Sequence, residues 1–234
     1  ISDFGRRIFS FCQYVSDRRG VLHKNEKGQL YRLRHAPVSG DLSQMRELTM
    51  SRICVGRLWY PVVTLGYGRR LGVWAAGCRR ECAGCISPEL RDFSAGSILA
   101  PEQILERIPP DAEPDGLTIS GGEPFEQAAG ILELVKLFQN RYTEDILIFT
   151  GYTIEELHRK RSGRIREILD RTAVLVDGRY IEGRNSQKGL RGSDNQRIHV
   201  FKFHERYDNA EEQERRLQCV RTGDRLWMIG IPPA

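Results

Sequence analysis

The chain has 234 residues, of which 40% are hydrophobic and 29% are charged, and its formal net charge is +5. This length suits one medium-sized domain with an appendage, and the composition is typical of a globular protein rather than a disordered or fibrous one. No run is apolar enough to cross a bilayer, and the basic residues are dispersed without any known nucleic-acid-binding motif. We therefore expect neither a membrane span nor a nucleic-acid partner.

The cysteine usage predicts a reducing compartment. An even number of cysteines, six here, would suggest disulfides in a short secreted chain. However, the N-terminus has no secretory signal pattern, and three of the six cysteines form one tight group. We therefore predict a cytoplasmic protein in which the scattered Cys12, Cys54 and Cys219 are packing or incidental thiols.

Residues 1–50 differ from the rest of the chain and carry no catalytic motif. A short amphipathic helix is predicted at residues 8–15, and Asn25-Glu26-Lys27-Gly28 is typical of a turn between two strands. We interpret residues 1–50 as a small N-terminal extension and residues 51–234 as the main domain. An accessory element, a partner-docking segment and a partly disordered segment all remain open for the extension.

Strand and helix patterns alternate along the main domain. Strands are predicted at residues 61–65, 71–76, 117–120, 146–150, 173–176, 198–201 and 226–231, and helices at residues 100–108, 125–138 and 164–170. Thr153 and Glu156 form a capping box that opens one further helix. This alternation predicts an α/β fold with parallel β/α units. The units are too few for a closed eight-unit barrel, so a partial, open barrel is expected.

Three cysteines follow the strand predicted at residues 71–76, in the pattern C-x3-C-x2-C: Cys78, Cys82 and Cys85. A cubane iron–sulfur cluster has four iron corners that cysteine thiolates normally cap, so three thiolates leave one iron open to a substrate. A structural zinc site would need a fourth Cys or His at a matching spacing, and the sequence has none. The loop therefore predicts a [4Fe–4S] cluster, and a non-enzymatic zinc-binding or nucleic-acid-binding module is the contrasting hypothesis.

A second motif, Gly121-Gly122-Glu123-Pro124, directly follows the strand predicted at residues 117–120. Glycines at the end of a strand let a ligand approach the backbone, and the Glu123 carboxylate is suited to an ammonium group. Thr150 and Asp177 end the next two strands, where each either contacts a ligand or caps a turn. Because sites gather beyond the C-terminal ends of parallel strands, we expect these motifs to share one site with the cysteine loop.

A three-cysteine loop followed by a strand that ends in Gly-Gly-Glu-Pro resembles the radical S-adenosylmethionine superfamily. Within it, three segments are similar to anaerobic ribonucleotide reductase activating proteins, over roughly residues 55 to 231. These segments are the cysteine loop with Ser87-Pro88-Glu89, the run Phe149-Thr150-Gly151-Tyr152-Thr153, and the late block Arg191-Gly192-Ser193-Asp194-Asn195-Gln196-Arg197.

The resemblance implies an enzyme with the partial barrel of that superfamily. It implies that Cys78, Cys82 and Cys85 hold the cluster, and that Gly121, Gly122, Glu123, Pro124, Thr150 and Asp177 bind S-adenosylmethionine. The implied reaction is reductive cleavage of S-adenosylmethionine to methionine and a 5′-deoxyadenosyl radical, with an electron from an external donor of the flavodoxin or ferredoxin type. The radical would take a hydrogen from a glycine of a partner glycyl-radical enzyme.

One alternative stays within the superfamily. In it, the chain is a radical S-adenosylmethionine enzyme that modifies a peptide or a small molecule in a biosynthetic pathway. The N-terminal extension keeps this alternative open.

Overall fold

The structure is a computed structural model, and it describes residues 23–24, 30–31, 51–185, 187–223 and 225–232. The helix predicted at residues 8–15 lies outside the described residues. Strands β1 (His23–Lys24) and β2 (Leu30–Tyr31) pair in antiparallel register on either side of the predicted turn. The two strands expected around that turn are therefore confirmed.

The core of the fold is a seven-stranded sheet. Its strands are β3 (Ile53–Val62), β4 (Arg70–Ala75), β5 (Ser97–Leu99), β6 (Gly116–Gly121), β7 (Ile146–Phe149), β8 (Val174–Asp177) and β9 (Arg197–Val200). They lie in the order β5-β3-β4-β6-β7-β8-β9, and the sheet does not close on itself. Neighbours among β4, β6, β7 and β8 are parallel, whereas β3, β5 and β9 pair antiparallel at the two sides. The predicted parallel α/β arrangement is confirmed for the centre of the sheet.

The helices are α1 (Pro101–Leu105), α2 (Ala128–Arg141), α3 (Ile154–Arg159), α4 (Gly163–Arg171) and α5 (His204–Tyr207). The apolar faces of α1 to α4 join the inner side chains of the central strands in the main hydrophobic core. On α2, Ile131, Leu134, Val135 and Phe138 are fully buried. Each such side chain contributes about 1.5–3 kcal/mol, so this helix layer holds the parallel strands in place.

A separate hairpin covers part of the sheet. It consists of β10 (Leu217–Thr222) and β11 (Arg225–Gly230), which pair in antiparallel register. Ile229 of the hairpin packs with Val62 and Leu65 in a second small core. The strand predicted at residues 226–231 is thus confirmed, with its bounds shifted by one residue.

Several boundaries differ from the sequence predictions. Strand β3 begins at Ile53 rather than at residue 61, because Gly56, Arg57 and Pro61 obscure its pattern while pairing on both sides stabilises it. The helix predicted at residues 125–138 begins instead as a 3-10 turn, Pro124–Gln127, before α2. Proline has no backbone N–H to give to a helix, and the Glu123 side chain accepts from Phe125 N there.

A buried ion pair lies at the N-terminal ends of the parallel strands. Arg70 opens β4, is fully buried, and donates to Asp145 Oδ1 at 3.0 Å and to Thr118 Oγ1 at 2.7 Å. Tyr207 Oη also donates to Asp145 Oδ1, at 2.8 Å. This network fixes α5 against the starts of β4, β6 and β7, at the end of the sheet opposite the cysteine loop.

Candidate active site

The predicted motifs lie at one edge of the sheet. The cysteine loop follows β4, the Gly-Gly-Glu-Pro motif follows β6, Thr150 follows β7, and Asp177 is the last residue of β8. These four strands are adjacent and parallel, so their C-terminal ends lie side by side. The structure therefore brings the motifs together as the sequence predicts.

The two glycines lie against the root of the cysteine loop. Gly122 N donates to Ala75 O at 2.7 Å, and Glu123 N donates to Gly77 O at 2.9 Å. A Cβ on Gly121 would lie 2.3 Å from Ala75 O, and a Cβ on Gly122 would lie 2.5 Å from Gly77 O. Both positions therefore require glycine for close contact between two backbone segments.

Gln127 is a further link that the sequence analysis missed. Its Oε1 accepts from Cys54 N at 2.7 Å, and its Nε2 donates to Ala76 O at 2.8 Å and to Cys54 O at 3.2 Å. The side chain thus joins β3 and the end of β4 to the turn after the Gly-Gly-Glu-Pro motif. A glutamine three residues beyond Pro124 gives no sequence signal of this role, because its partners are all backbone atoms.

Further backbone contacts hold the cysteine loop. Gly77 N donates to Leu90 O at 2.8 Å, and Cys78 N donates to Arg91 O at 2.9 Å. Arg91 also donates to Cys82 O, and Arg179 donates to Glu81 O at 2.6 Å. The loop is therefore fixed at its root and along its length.

The three cysteines are free thiols, and each is half-buried. Burial raises the pKa of the Cys78 thiol, and Glu123, Cys82 and Cys85 raise it further through their charges. Cys78 therefore lies near the other two thiols and near the Gly-Gly-Glu-Pro motif. Arg80 N also lies 3.4 Å from Cys78 Sγ and donates to it.

Among the described residues, no three His, Cys, Asp or Glu side chains are grouped closely enough to hold one metal ion. Thiolates that cap different corners of a cubane lie further apart than thiolates that share one zinc. Three thiols on one loop are the number that leaves one corner of a [4Fe–4S] cluster open.

Glu123 is buried in the centre of the site, with an exposed fraction of 1%. Its Oε1 accepts from Thr150 Oγ1 at 2.8 Å and from Phe125 N at 3.1 Å, and its Oε2 accepts from Gly151 N at 2.8 Å. Burial raises the pKa of Glu123 to about 7, although these hydrogen bonds oppose the rise. The carboxylate therefore joins the end of β6 to the turn after β7.

Asp177 is also buried, and its carboxylate has several partners inside the protein. Its Oδ1 accepts from Arg197 Nε at 3.0 Å, and its Oδ2 accepts from Ile154 N at 2.7 Å. Burial opposes ionisation, but these hydrogen bonds, with His199 3.1 Å from Oδ2, lower the pKa of Asp177 below its ordinary value. Arg197 also binds Glu155 through two hydrogen bonds, so Asp177 connects β8, β9 and the start of α3.

The late block that ends at Arg197 forms a compact loop against the end of β8. Gln196 Oε1 accepts from Gly192 N at 2.8 Å and from Ser193 N at 3.1 Å, while its Nε2 donates to Gly178 O at 2.8 Å. Asn195 Nδ2 donates to Arg179 O at 2.8 Å. Since Arg179 contacts the cysteine loop, this block is joined to the same site.

Two arginines between the cysteines behave differently. The Arg79 side chain is 78% exposed, whereas that of Arg80 is 18% exposed and donates to Glu156 Oε2 at 2.9 Å. The Arg80 guanidinium lies 4.0 Å from the centre of the Tyr152 ring. Arg80 therefore attaches the cysteine loop to the turn between β7 and α3, and Thr153 and Glu156 form the predicted capping box there.

Comparisons with known proteins agree with this geometry. Residues 64–199 match the model of a family described as a 4Fe-4S single cluster domain. The anaerobic ribonucleoside-triphosphate reductase-activating protein of Vibrio cholerae is 33% identical over 154 residues, which cover 61% of this chain and 96% of that protein. The pyruvate formate-lyase-activating enzyme of Clostridium pasteurianum is 29% identical over 139 residues, 55% of each chain.

A shorter match involves a different class of enzyme. The 7-carboxy-7-deazaguanine synthase of Methanothermobacter thermautotrophicus is 37% identical over 70 residues, which cover 29% of this chain and 28% of that protein.

No helix in the part of the chain that the structure describes has the length and apolar character of a membrane span.

Proposed function

The chain belongs to the 4Fe-4S single cluster family of radical S-adenosylmethionine activating proteins, and we propose that it installs a glycyl radical on an anaerobic ribonucleotide reductase. The observation that carries the proposal is the backbone contact between the Gly-Gly-Glu-Pro motif and the root of the three-cysteine loop. Almost the whole length of the Vibrio cholerae relative is matched, which supports the same class of partner. We propose that the mostly parallel seven-stranded sheet, which does not close on itself, is the partial barrel that the resemblance implies.

Cys78, Cys82 and Cys85 would hold the [4Fe–4S] cluster, because they are free, half-buried and placed on one fixed loop. When bound, the cluster supplies the electron that cleaves S-adenosylmethionine into methionine and a 5′-deoxyadenosyl radical. An external donor must provide that electron.

The remaining site residues would orient S-adenosylmethionine. Gly121 and Gly122 let the end of β6 pack directly against the backbone at the root of the cysteine loop, which fixes the two motifs relative to each other. The buried Glu123 and Thr150 fix the turn after β7, and Asp177 fixes the start of α3. Pro124 is buried and begins the 3-10 turn that carries Gln127. A rigid frame of this kind restricts the ligand to one orientation and excludes water.

The function is tested by anaerobic reconstitution with iron and sulfide, followed by incubation with S-adenosylmethionine, a reductant and an anaerobic ribonucleotide reductase. The proposal predicts 5′-deoxyadenosine formation and a glycyl-radical electron paramagnetic resonance signal on the reductase. If 5′-deoxyadenosine forms but no reductase acquires a radical, the partner assignment is wrong. A peptide or small-molecule substrate, the alternative of the sequence analysis, would then be the next to test.

A further inference from the structure

The junction of α3 and α4 carries an exposed basic surface formed by Arg159, Lys160, Arg161, Arg164 and Arg166, which we call the α3–α4 basic surface. The sequence has no carboxylate from residue 157 to residue 166. Throughout the described ranges, none of the five cations forms an ion pair, whereas many other exposed arginines do. This surface therefore has a net positive charge, which Glu156 offsets in part at Arg159.

The carboxylates that lie nearest to the basic surface in sequence form ion pairs with other cations. Glu155 pairs with Arg197, and Glu156 pairs with Arg80. Glu167 pairs with Lys136 and Arg171. These contacts leave the basic surface available to a negatively charged partner.

The first turn of α4 is unusual because it opposes the helix dipole. Negative charge is favourable at a helix N-terminus, and positive charge is unfavourable there. Helix α3 follows this rule, with Glu155 and Glu156 in its first turn, but the first turn of α4 has no acidic residue and contains Arg164. These cations do not stabilise α4 through its dipole, and they are suited to charge-steered association.

The surface lies beside the cysteine loop. Lys160 Nζ is 4.1 Å from the centre of the Tyr152 ring, and the guanidinium of Arg80 is 4.0 Å from the same centre. Arg80 in turn follows Cys78 by two residues and donates its N–H to the Cys78 thiol. One aromatic ring thus separates Lys160 of the basic surface from the loop that would hold the cluster.

The chemistry of the surface favours a brief encounter over a stable complex. Stable interfaces need buried apolar anchors, while electron-transfer encounters are small and depend on charge. No large apolar side chain in residues 150–171 is exposed. Exposed apolar residues occur instead around the cysteine loop and the segment after β8, at Ile86, Phe93 and Ile181.

From these observations we propose that the α3–α4 basic surface docks an acidic electron-transfer protein that reduces the site. This inference rests on the proposed function, because that function requires one electron for each S-adenosylmethionine cleaved. The docked donor loses one electron and the reconstituted protein gains it, with no bond formed between the two proteins. The positive surface attracts the donor and orients it next to the cysteine loop.

The test compares two triple variants with the same change in net charge. The surface variant is Arg161→Glu/Arg164→Glu/Arg166→Glu. The control is Arg107→Glu/Arg141→Glu/Arg221→Glu, whose residues are exposed and lie outside the basic surface. Stopped-flow absorbance follows reduction of the reconstituted full chain by flavodoxin hydroquinone or by reduced methyl viologen, a small cation. Binding of oxidised flavodoxin to the cluster-free chain is measured in parallel.

We expect the surface variant to lower the second-order rate constant with flavodoxin by about 10- to 1,000-fold and to weaken flavodoxin binding at least tenfold. The reaction with methyl viologen should not slow, and the wild-type flavodoxin rate should fall as salt is added. Equal losses in the two triple variants, or unchanged flavodoxin kinetics and binding in the surface variant, would overturn the inference.

The measurements separate this inference from the proposed function. If methyl viologen fails to reduce the wild-type protein, the proposed redox site is wrong. The binding assay needs no cluster, so it still decides whether the basic surface recognises an acidic electron-transfer protein.

Discussion

Replacing Glu123 by glutamine should remove a specific pH dependence of stability. Burial raises the pKa of Glu123 from 4.5 to about 7, so the folded protein holds a proton that the unfolded chain has released in this range. Its contribution to stability is therefore fully present below about pH 4.5 and is lost as the pH rises through about 7. A shift of this size corresponds to roughly 3 kcal/mol of unfolding free energy.

The measurement is urea unfolding of the cluster-free wild type and Glu123→Gln between pH 4.5 and pH 8, under reducing conditions. We expect the stability of the wild type relative to the variant to fall by about 3 kcal/mol across this range. In the variant, the side-chain amide introduced at position 123 places an N–H group against the Gly151 N–H, so the Gly151 N–H loses its acceptor. This loss lowers the stability of the variant at every pH. Glu113→Gln, an exposed control, should change stability by no more than about 0.5 kcal/mol. The reasoning would be refuted if the difference in unfolding free energy between the wild type and Glu123→Gln stayed constant, or if the wild type became relatively more stable as the pH rises.

Three other substitutions test the frame around the site. Gly122→Ala should lower cluster loading while the fold remains, because its Cβ would lie 2.5 Å from Gly77 O. Iron content measures the loading, and circular dichroism checks the fold. Gln127→Ala should cost about 1–3 kcal/mol, because backbone groups of β3 and β4 lose their partner; equal urea midpoints would contradict this. Arg70→Met should cost about 3 kcal/mol, the lower end of the range for a broken buried pair, because Arg206 still pairs with Asp145 at 3.2 Å; a melting temperature like that of the wild type would show the Arg70 pair to be dispensable.

The sequence predicts much of the fold and the placement of the site, because both depend on local patterns. Alternating apolar strands and helices identify the parallel centre of the sheet, and motifs at strand ends must meet at one edge. The antiparallel strands are harder to predict. Residues 97–99 are too few for a pattern, and β10 is mixed in polarity, so pairing with a distant strand determines both.

The roles of individual side chains depend on contacts that no spacing reveals. The pattern suggests a ligand-binding carboxylate at Glu123 and leaves Asp177 open between a ligand contact and a turn cap, whereas in the structure both are buried and accept hydrogen bonds from protein groups. Their roles in binding S-adenosylmethionine remain predictions. Similarly, Arg79 and Arg80 are equivalent in sequence, but only Arg80 reaches the Tyr152 ring and Glu156.

The central claim is that the three-cysteine loop holds the [4Fe–4S] cluster. The most direct measurement is the iron and sulfide content of anaerobically reconstituted Cys78→Ala, Cys82→Ala and Cys85→Ala, each beside Cys219→Ala. Cys219 is an exposed free thiol outside the loop, so its variant controls for loss of one cysteine. The account predicts four irons per chain in the control, and loss of the intact cluster with no 5′-deoxyadenosine in each loop variant. A fully loaded cluster in Cys82→Ala, or zinc without iron in the wild type, would contradict it.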